Sequence, residues 1–203
     1  MVASSGNTSA TGGYLAPSSP PPPSGLELDT LIGTLVAGIT GLPGEMVLPR
    51  WQETQPRIPD ISENWVGVSV TASKPDDSPS QIHHSEGDGY TVLRTFWRLE
   101  VLGSFFGPLG DGYAKLFRDG LQVSQNREAM RADGLNLIDC GIVRPVPQII
   151  ATRARRCSDL PFQLMQTVER TYPIRNVLQA DGTIRADASR LQNTPFLSPL
   201  PPA

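Results

Sequence analysis

The sequence predicts an α+β domain. A mainly antiparallel sheet with a long β-hairpin packs against two main helices, and extended Pro-rich arms form both termini. Apolar side chains recur every three or four residues within 27–40 and again within 110–123, which is the spacing of an amphipathic helix. Apolar and polar residues alternate within 64–74 and 90–106, which is the period of a strand. The order of helix, strand, hairpin, helix and further strands is typical of helices packed on one side of a sheet.

Residues 1–25 predict an extended N-terminal arm that is rich in Pro, Ser and Gly. This segment contains five of the 20 prolines and only two bulky apolar side chains, so it does not contribute to a core. Its four consecutive prolines predict a stiff polyproline II spacer that rises about 3.1 Å per residue. The candidate interface residues of the arm are Tyr14, Leu15, Pro20, Pro21, Pro22 and Pro23.

The first helix is predicted over about 27–40. Its apolar face consists of Leu28, Leu31, Ile32, Leu35, Val36 and Ile39. Gly41 and Pro43 supply the end of the helix, because glycine adopts the left-handed conformation and proline cannot continue a helix. A short strand is predicted to follow over Met46 to Gln52.

The two alternating segments predict a long hairpin. Its strands are 64–74 and 90–106, and the polar residues 75–89 between them are predicted to form a mobile tip. A second helix is predicted over about 110–123, and a short third helix is predicted to end at Gly134. Further strands are predicted over 135–144, 160–172 and 174–184, with the connection 144–159 between the first two.

These elements place one α+β domain at 26–190, followed by a Pro-rich C-terminal tail at 191–203. The tail carries four more prolines, and its Phe196 and Leu197 are candidate interface residues. Nine of the 20 prolines therefore lie in the two termini, around a core of ordinary composition.

Composition and charge exclude several classes of protein. A net charge of −3 and a pI of about 5.4 argue against binding nucleic acid through a wide basic face. The 15 Arg against 2 Lys favour planar contacts at protein interfaces. We expect neither a membrane span nor a signal peptide, since no apolar run reaches about 18 residues and the start lacks a basic segment followed by an apolar one. Cys140 and Cys157 are expected to be inert thiols in a reducing compartment.

Two adjacent histidines, His83 and His84, are the only imidazoles, and Glu86 and Asp88 follow them in the polar segment. A metal site needs three or four ligands held by rigid elements, and neighbouring residues on a strand point to opposite faces. We therefore interpret the pair as part of a solvated loop tip and a candidate interface. No catalytic spacing accompanies them, so the sequence predicts no enzyme, no metal site and no cofactor.

Two further patterns have an ordinary structural explanation. Gly107, Gly110 and Gly112 lie between a strand and a helix, but their spacing matches neither the dinucleotide nor the P-loop fingerprint, so we interpret them as a turn. A basic cluster lies between two predicted strands, where it contacts phosphate or an acidic neighbouring subunit, or forms a solvated turn. Its residues are Arg153, Arg155 and Arg156.

Several segments, taken in order, resemble the neck or tail-terminator proteins of tailed bacteriophages. They are TSATGGYLAP (8–17) before the prolines, AGITGLPGEMVLPRWQ (37–52), NWVGVSV (64–70), FFGP (105–108), RDGLQVSQNREAMR (118–131), VRPVPQI (143–149) and VERTYPI (168–174). The order and spacing of these segments carry the resemblance, and none of them is a catalytic signature.

The resemblance implies a structural virion protein of the neck that forms a homohexameric ring. Such a ring caps the tail tube and joins it to the head-side connector or stopper protein. It also contacts the sheath in a contractile tail, and DNA only passes through its lumen. The expected location is the head-tail junction of the virion, after assembly in the host cytoplasm. The alternative is another connector component, a stopper or adaptor ring, and a second class is a soluble enzyme built on the loop that carries the histidines.

Overall fold

The computed structural model describes residues 6–52, 57–146, 148–150 and 153–177. It confirms the mixed α+β fold, with helices packed against a mainly antiparallel open sheet of seven strands. In these ranges the helices are α1 (Leu26–Thr40), α2 (Gly110–Gly120) and α3 (Ser124–Ala132). The strands are β1 (Val47–Pro49), β2 (Trp65–Pro75), β3 (Ser80–His84), β4 (Tyr90–Phe106), β5 (Leu135–Cys140), β6 (Arg144–Pro145), β7 (Gln148–Ile150), β8 (Arg153–Arg155) and β9 (Cys157–Tyr172).

The sheet is built around two long antiparallel strands. β4 and β9 pair over their whole overlap, 91–106 with 157–172, and the strand order across the sheet is β1-β2-β4-β9-β5. β2 covers the second half of β4, and β3 pairs with its first half. β6 pairs with the start of β9, whereas β7 and β8 form a separate two-stranded ribbon. β1 and β5 therefore lie at opposite edges of the sheet.

The helices cover one face of the sheet and bury the main core. α1 extends from Leu26 to Thr40 and is capped by Gly41. The φ of 73° at Gly41 and its N–H bond to the Ala37 carbonyl confirm the predicted left-handed helix end. The largest fully buried side chains of the molecule include Phe105, Phe117, Phe162, Ile32, Leu99, Leu121, Leu135, Leu160 and Leu164. Phe117 of α2 contacts two of these aromatic rings, so it fixes this helix on the sheet.

One buried acidic residue connects α1 to the sheet. Asp29 is 5% exposed, and its carboxylate accepts a hydrogen bond of 2.8 Å from the Val70 N–H. The pairing of β2 with β4 shifts register between Val70 and Ala72, so the carboxylate satisfies backbone next to a β-bulge. Burial raises the pKa of Asp29, and the hydrogen bond from Val70 opposes that rise.

Five expectations about element boundaries were wrong. The strand predicted over 46–52 is only β1, which follows a 3-10 turn at Gly44–Met46, and α2 ends at Gly120. The predicted loop 75–89 contains β3, and the connection 144–159 contains β6, β7, β8 and the start of β9. Residues 173–177 form no strand, and the rest of the predicted strand 174–184, like the C-terminal tail, lies outside the described residues.

The formation of β3 has a simple physical cause. β4 continues beyond the end of β2, so its first residues would present unpaired N–H and C=O groups to the solvent. A returning polar segment satisfies these groups without needing an apolar face, because most of β3 is exposed on both sides. Alternation of apolar and polar residues is therefore absent, and the strand has no pattern by which the sequence would reveal it.

Candidate interaction surfaces

The two histidines lie on β3 and not in a loop, which corrects the interpretation of a solvated loop tip. His83 has both ring nitrogens engaged: Nδ1 lies 3.0 Å from the Thr91 Oγ1, and Nε2 lies 2.9 Å from the Asn176 Oδ1. His84 stacks on Tyr90 with a centroid distance of 4.7 Å. The histidines are therefore divided between separate partners, and no group of His, Cys, Asp and Glu in the described ranges has the arrangement of a metal site.

The turn that follows the histidines is held by the chain beyond β9. The Asn176 N–H donates to the Asp88 carbonyl at 3.0 Å, and its side-chain amide donates to the carbonyls of Ser85 and Gly87 at 3.0 and 3.2 Å. Gly87 and Gly89 adopt positive φ, as a tight turn requires. The β3–β4 hairpin is thus a structured projection at the far end of the sheet from the main core, and its role as an interface stays a prediction.

The N-terminal arm lies along its own domain. Ser18 and Ser19 face Thr171 of β9: the Ser18 N–H donates to the Thr171 carbonyl at 2.8 Å, and the Thr171 N–H donates to the Ser19 Oγ at 3.1 Å. Further toward the N-terminus, the Ser9 N–H donates to the Pro173 carbonyl at 3.2 Å and its Oγ accepts the Arg175 N–H at 2.7 Å. The arm occupies the position beside β9 that β5 leaves free.

The candidate residues of the arm differ in exposure. Tyr14 is 95% exposed, Pro20 and Pro21 are exposed, and Leu15 is half-buried, as are Pro22 and Pro23. The last two prolines line a cleft of about 470 Å³ together with Trp97, Leu99 and Val168. The end of the arm therefore forms part of the wall of this cleft.

The arginines lie at the opposite end of the sheet from the arm. Arg153 and Arg155 belong to β8, and Arg156 is exposed directly before β9. Arg155 and Arg156 line a cavity of about 730 Å³ together with Lys115 of α2. The candidate residues of the C-terminal tail, Phe196 and Leu197, lie outside the described residues.

The glycine motif forms the predicted turn between a strand and a helix. Gly107 has a φ of 105°, and a Cβ at this position would overlap the Glu63 carbonyl oxygen. The Leu109 N–H, at the start of α2, donates to the Asn64 Oδ1 at 2.8 Å. The chain itself thus occupies the space and one of the donors that a phosphate would need.

Sequence reasoning missed the contacts on the sheet face opposite the helices. Trp65 stacks on Phe106 at a centroid distance of 4.1 Å and packs with Cys157. Beside this cluster Arg50 donates to Ser104, and Ser104 donates to Asp159. The sequence shows Ser104 and Asp159 only as polar residues within strands, a position that usually indicates contact with solvent. The register that pairs them is visible only in the structure.

The same surroundings explain the two thiols. Burial, reinforced by the neighbouring Asp159 carboxylate, raises the pKa of Cys157 to about 12. Burial also raises the pKa of Cys140, although Arg118 opposes the rise. Both thiols are therefore protonated near neutral pH, and a thiol in that state is a poor nucleophile.

Exposed apolar side chains occur at both edges of the sheet. Trp51, which follows β1, is 71% exposed, and Ile142, which follows β5, is 69% exposed. Because β1 and β5 are the two outer strands, these side chains lie at opposite sides of the domain. None of the helices in the described part of the chain has the length and apolar character needed to cross a membrane.

Comparison with known proteins adds one finding. A family model described as phage neck terminator protein matches residues 26–187, which are 162 of the 203 residues. The matched range begins at the first residue of α1 and contains every helix and strand described above. No curated protein matches the chain.

Proposed function

Because the chain belongs to the family of phage neck terminator proteins, we propose that it forms a ring that caps the tail tube and joins it to the head-side connector. The family match over nearly the whole domain is the observation that carries this proposal. At the coarser level the chain is a structural protein of the phage neck and hence of the virion. The six-fold symmetry, the contacts with tube, connector and sheath, and the DNA channel belong to the proposal.

The two apolar edges of the sheet support ring formation. A head-to-tail ring needs two different patches on each subunit, placed so that successive copies meet in a closed circle. Trp51 at the β1 edge and Ile142 at the β5 edge supply apolar groups on opposite sides of one domain. Burial of such side chains between subunits removes apolar surface from water, which is the main favourable term in association.

The charge of the chain supports its use as a channel. A net charge of −3 gives the protein no excess of positive charge with which to hold DNA phosphates. A lumen whose wall carries no excess of positive charge releases passing DNA more easily. The projecting β3–β4 hairpin, with His83 and His84, extends beyond the helix-covered part of the sheet and suits contact with the ring above or below.

The proposal is tested first on the purified full-length protein. Electron microscopy of the particles is expected to show closed rings of six subunits with a central opening, and these rings are expected to bind blunt tail tubes. Rings of twelve that bind the portal and ignore tail tubes would support an adaptor in place of a terminator. Monomers at micromolar concentration that bind neither structure would contradict both.

A phage that lacks the chain separates the terminator from a stopper or adaptor. Without a terminator, tube growth is not stopped, so tails longer than normal are expected beside free heads. Without a stopper or adaptor, tails of normal length are expected beside heads that failed to join. The measurement is the distribution of tail lengths in lysates, with the complemented mutant as the control.

An enzymatic function has no support from the geometry. His83, the candidate base, bonds to Thr91 and Asn176, and Asp88 interacts instead with Arg175 at 3.9 Å. Replacing His83, His84, Glu86 and Asp88 together by Ala is expected to leave no catalytic defect. Any loss of infectivity is expected to follow from failed attachment of heads to tails, which microscopy of the lysate detects.

A further inference from the structure

A cavity with basic side chains lies at the end of the sheet where β9 begins. It has a volume of about 730 Å³ and is lined by Lys115 of α2, Arg155 of β8 and Arg156, and we call it the basic cavity. Apolar residues also form part of its wall, and they include Pro108, Pro145 and Val146. The cavity therefore has the character needed by a ligand with a negative end and an apolar stem.

The charge of Arg155 has no counter-charge in the described part of the chain. The side chain is half-buried, and its Nε and Nη1 atoms are buried without a hydrogen-bond partner. Among the described residues no ion pair includes Arg155 or Arg156. Because a buried polar nitrogen without an acceptor costs free energy, the stability of the free chain does not explain an arginine at this position.

The acidic side chains near the basic cavity are already engaged. Asp111, which lines the cavity, forms an ion pair with Lys115 at 2.6 Å. Asp159 accepts its hydrogen bonds on the sheet face opposite the helices. The surrounding sequence adds only positive charge, because residues 140–158 contain four Arg and no Asp or Glu. An anion that compensates Arg155 therefore comes from outside the described residues.

We propose that the basic cavity binds an Asp or Glu side chain of another protein of the neck, with the Arg155 guanidinium as its counter-charge. The inference rests on the proposed ring, in which copies of this chain meet through the β1 and β5 edges and leave the end of the sheet to a different protein. The planar guanidinium matches a carboxylate in shape, and hydrogen bonds between ionised groups are stronger than those between neutral ones.

Duplex DNA matches this cavity less well than a carboxylate side chain does. The phosphates of a duplex lie on a convex surface and are bound by exposed Arg and Lys, whereas the Arg155 guanidinium is recessed. The start of α2 adds no phosphate site, because the Leu109 N–H already donates to Asn64. The net charge of −3 also opposes the approach of a polyanion. A carboxylate at the end of a side chain enters the recess without these costs.

Arg155→Met separates recognition from folding. The variant keeps a long apolar side chain and removes the uncompensated charge, so its free energy of unfolding in urea is expected to equal or exceed that of the wild type. Arg131→Met, at an exposed position in the last turn of α3 and outside the cavity, is the matched control. A clear loss of stability in Arg155→Met alone would show that Arg155 serves the fold and would overturn the inference.

A hexaglutamate peptide is the probe for binding in solution. The full-length protein is expected to bind immobilised hexaglutamate but not hexaglutamine, and Arg155→Met is expected to bind about tenfold more weakly. Arg131→Met is expected to bind as the wild type does. Absence of binding to the wild type, or equal losses in the two variants, would overturn the inference. So would a short DNA duplex that binds more tightly than the peptide and loses this affinity in Arg155→Met, because it would indicate a nucleic-acid site.

Selection of suppressors identifies the partner in the virion. Phage with Arg155→Glu are expected to form normal rings but to fail in joining heads to tails, because the reversed charge repels the partner carboxylate. Revertants that keep the substitution are expected to carry an Asp or Glu replaced by Lys or Arg in another neck or tail protein. Normal joining, or compensating changes confined to this chain, would overturn the inference and leave the ring proposal standing. Wild-type protein that forms no rings would contradict the ring proposal and the inference with it.

Discussion

The buried carboxylate of Asp29 allows the contact between α1 and the sheet to be tested with two substitutions. Asp29→Ala removes the acceptor of the Val70 N–H and leaves that part-buried group without its partner. Such a loss costs about 1–3 kcal/mol of unfolding free energy. For a domain of this size that corresponds to a fall in Tm of about 2–4 °C per kcal/mol.

Asp29→Asn retains an oxygen in the same place and removes the charge. Its Oδ1 still accepts the Val70 N–H, and its amide faces the cleft that the residue lines, where water reaches it. Because burial raises the pKa of Asp29, the folded state binds the carboxyl proton more tightly than the unfolded state does. The wild-type carboxyl thus contributes most to stability when protonated, below its unfolded pKa, and this contribution is lost as pH rises through the folded pKa.

The assay is urea unfolding of the three proteins at pH 7 and near pH 4. At pH 7 Asp29→Asn is expected to equal or exceed the wild type, and Asp29→Ala to be the least stable. The advantage of Asn over the wild type is expected to shrink as the pH falls. Glu27→Gln, which changes an exposed charge on the same helix, is the control and should have little effect at either pH. Equal losses for Asn and Ala would refute the reasoning, because they would show that the negative charge itself is required.

Three further substitutions and modifications test the packing. Gly120→Ala places a methyl group against the Ile39 Cγ2 between α1 and α2, so we expect a loss of about 1–3 kcal/mol by urea unfolding, and a non-additive result when combined with Ile39→Ala. Gly107→Ala forces an alanine to φ 105° against the Glu63 carbonyl and should lower stability by at least ~1 kcal/mol, whereas no loss would contradict the described turn. The Cys157 thiol, with a pKa of about 12, should resist a thiol reagent at pH 8 until the protein unfolds, and rapid labelling of native protein would disprove its burial.

The sequence predicts those elements whose pattern reports burial. α1 and β4 follow their predicted bounds closely, because their apolar side chains recur with the period of a helix and of a strand. β3 and the position of the arm beside its own β9 were not predictable in this way. Both are held by backbone hydrogen bonds and exposed polar side chains, and such contacts impose no period on the sequence.

The polar contacts on the second face of the sheet show a different limit. Ser104 has no exposed surface although it points away from the helices, because Arg50 extends from the segment after β1 and binds it. The register that brings Ser104 beside Asp159 depends on long-range pairing of β4 with β9. A local pattern therefore identifies these residues as polar, but it cannot show that they satisfy one another.

The position of the arm also explains how an unassembled chain avoids an exposed sheet edge. β5 pairs with β9 only as far as Gln166, so the following residues would present free N–H and C=O groups to any other strand. Within one chain, Ser18 and Ser19 form hydrogen bonds with the backbone C=O and N–H of Thr171, and the Gly134 carbonyl accepts the Thr167 N–H. These bonds close most of this edge. The edge of β9 is therefore protected from pairing with another strand in the unassembled chain.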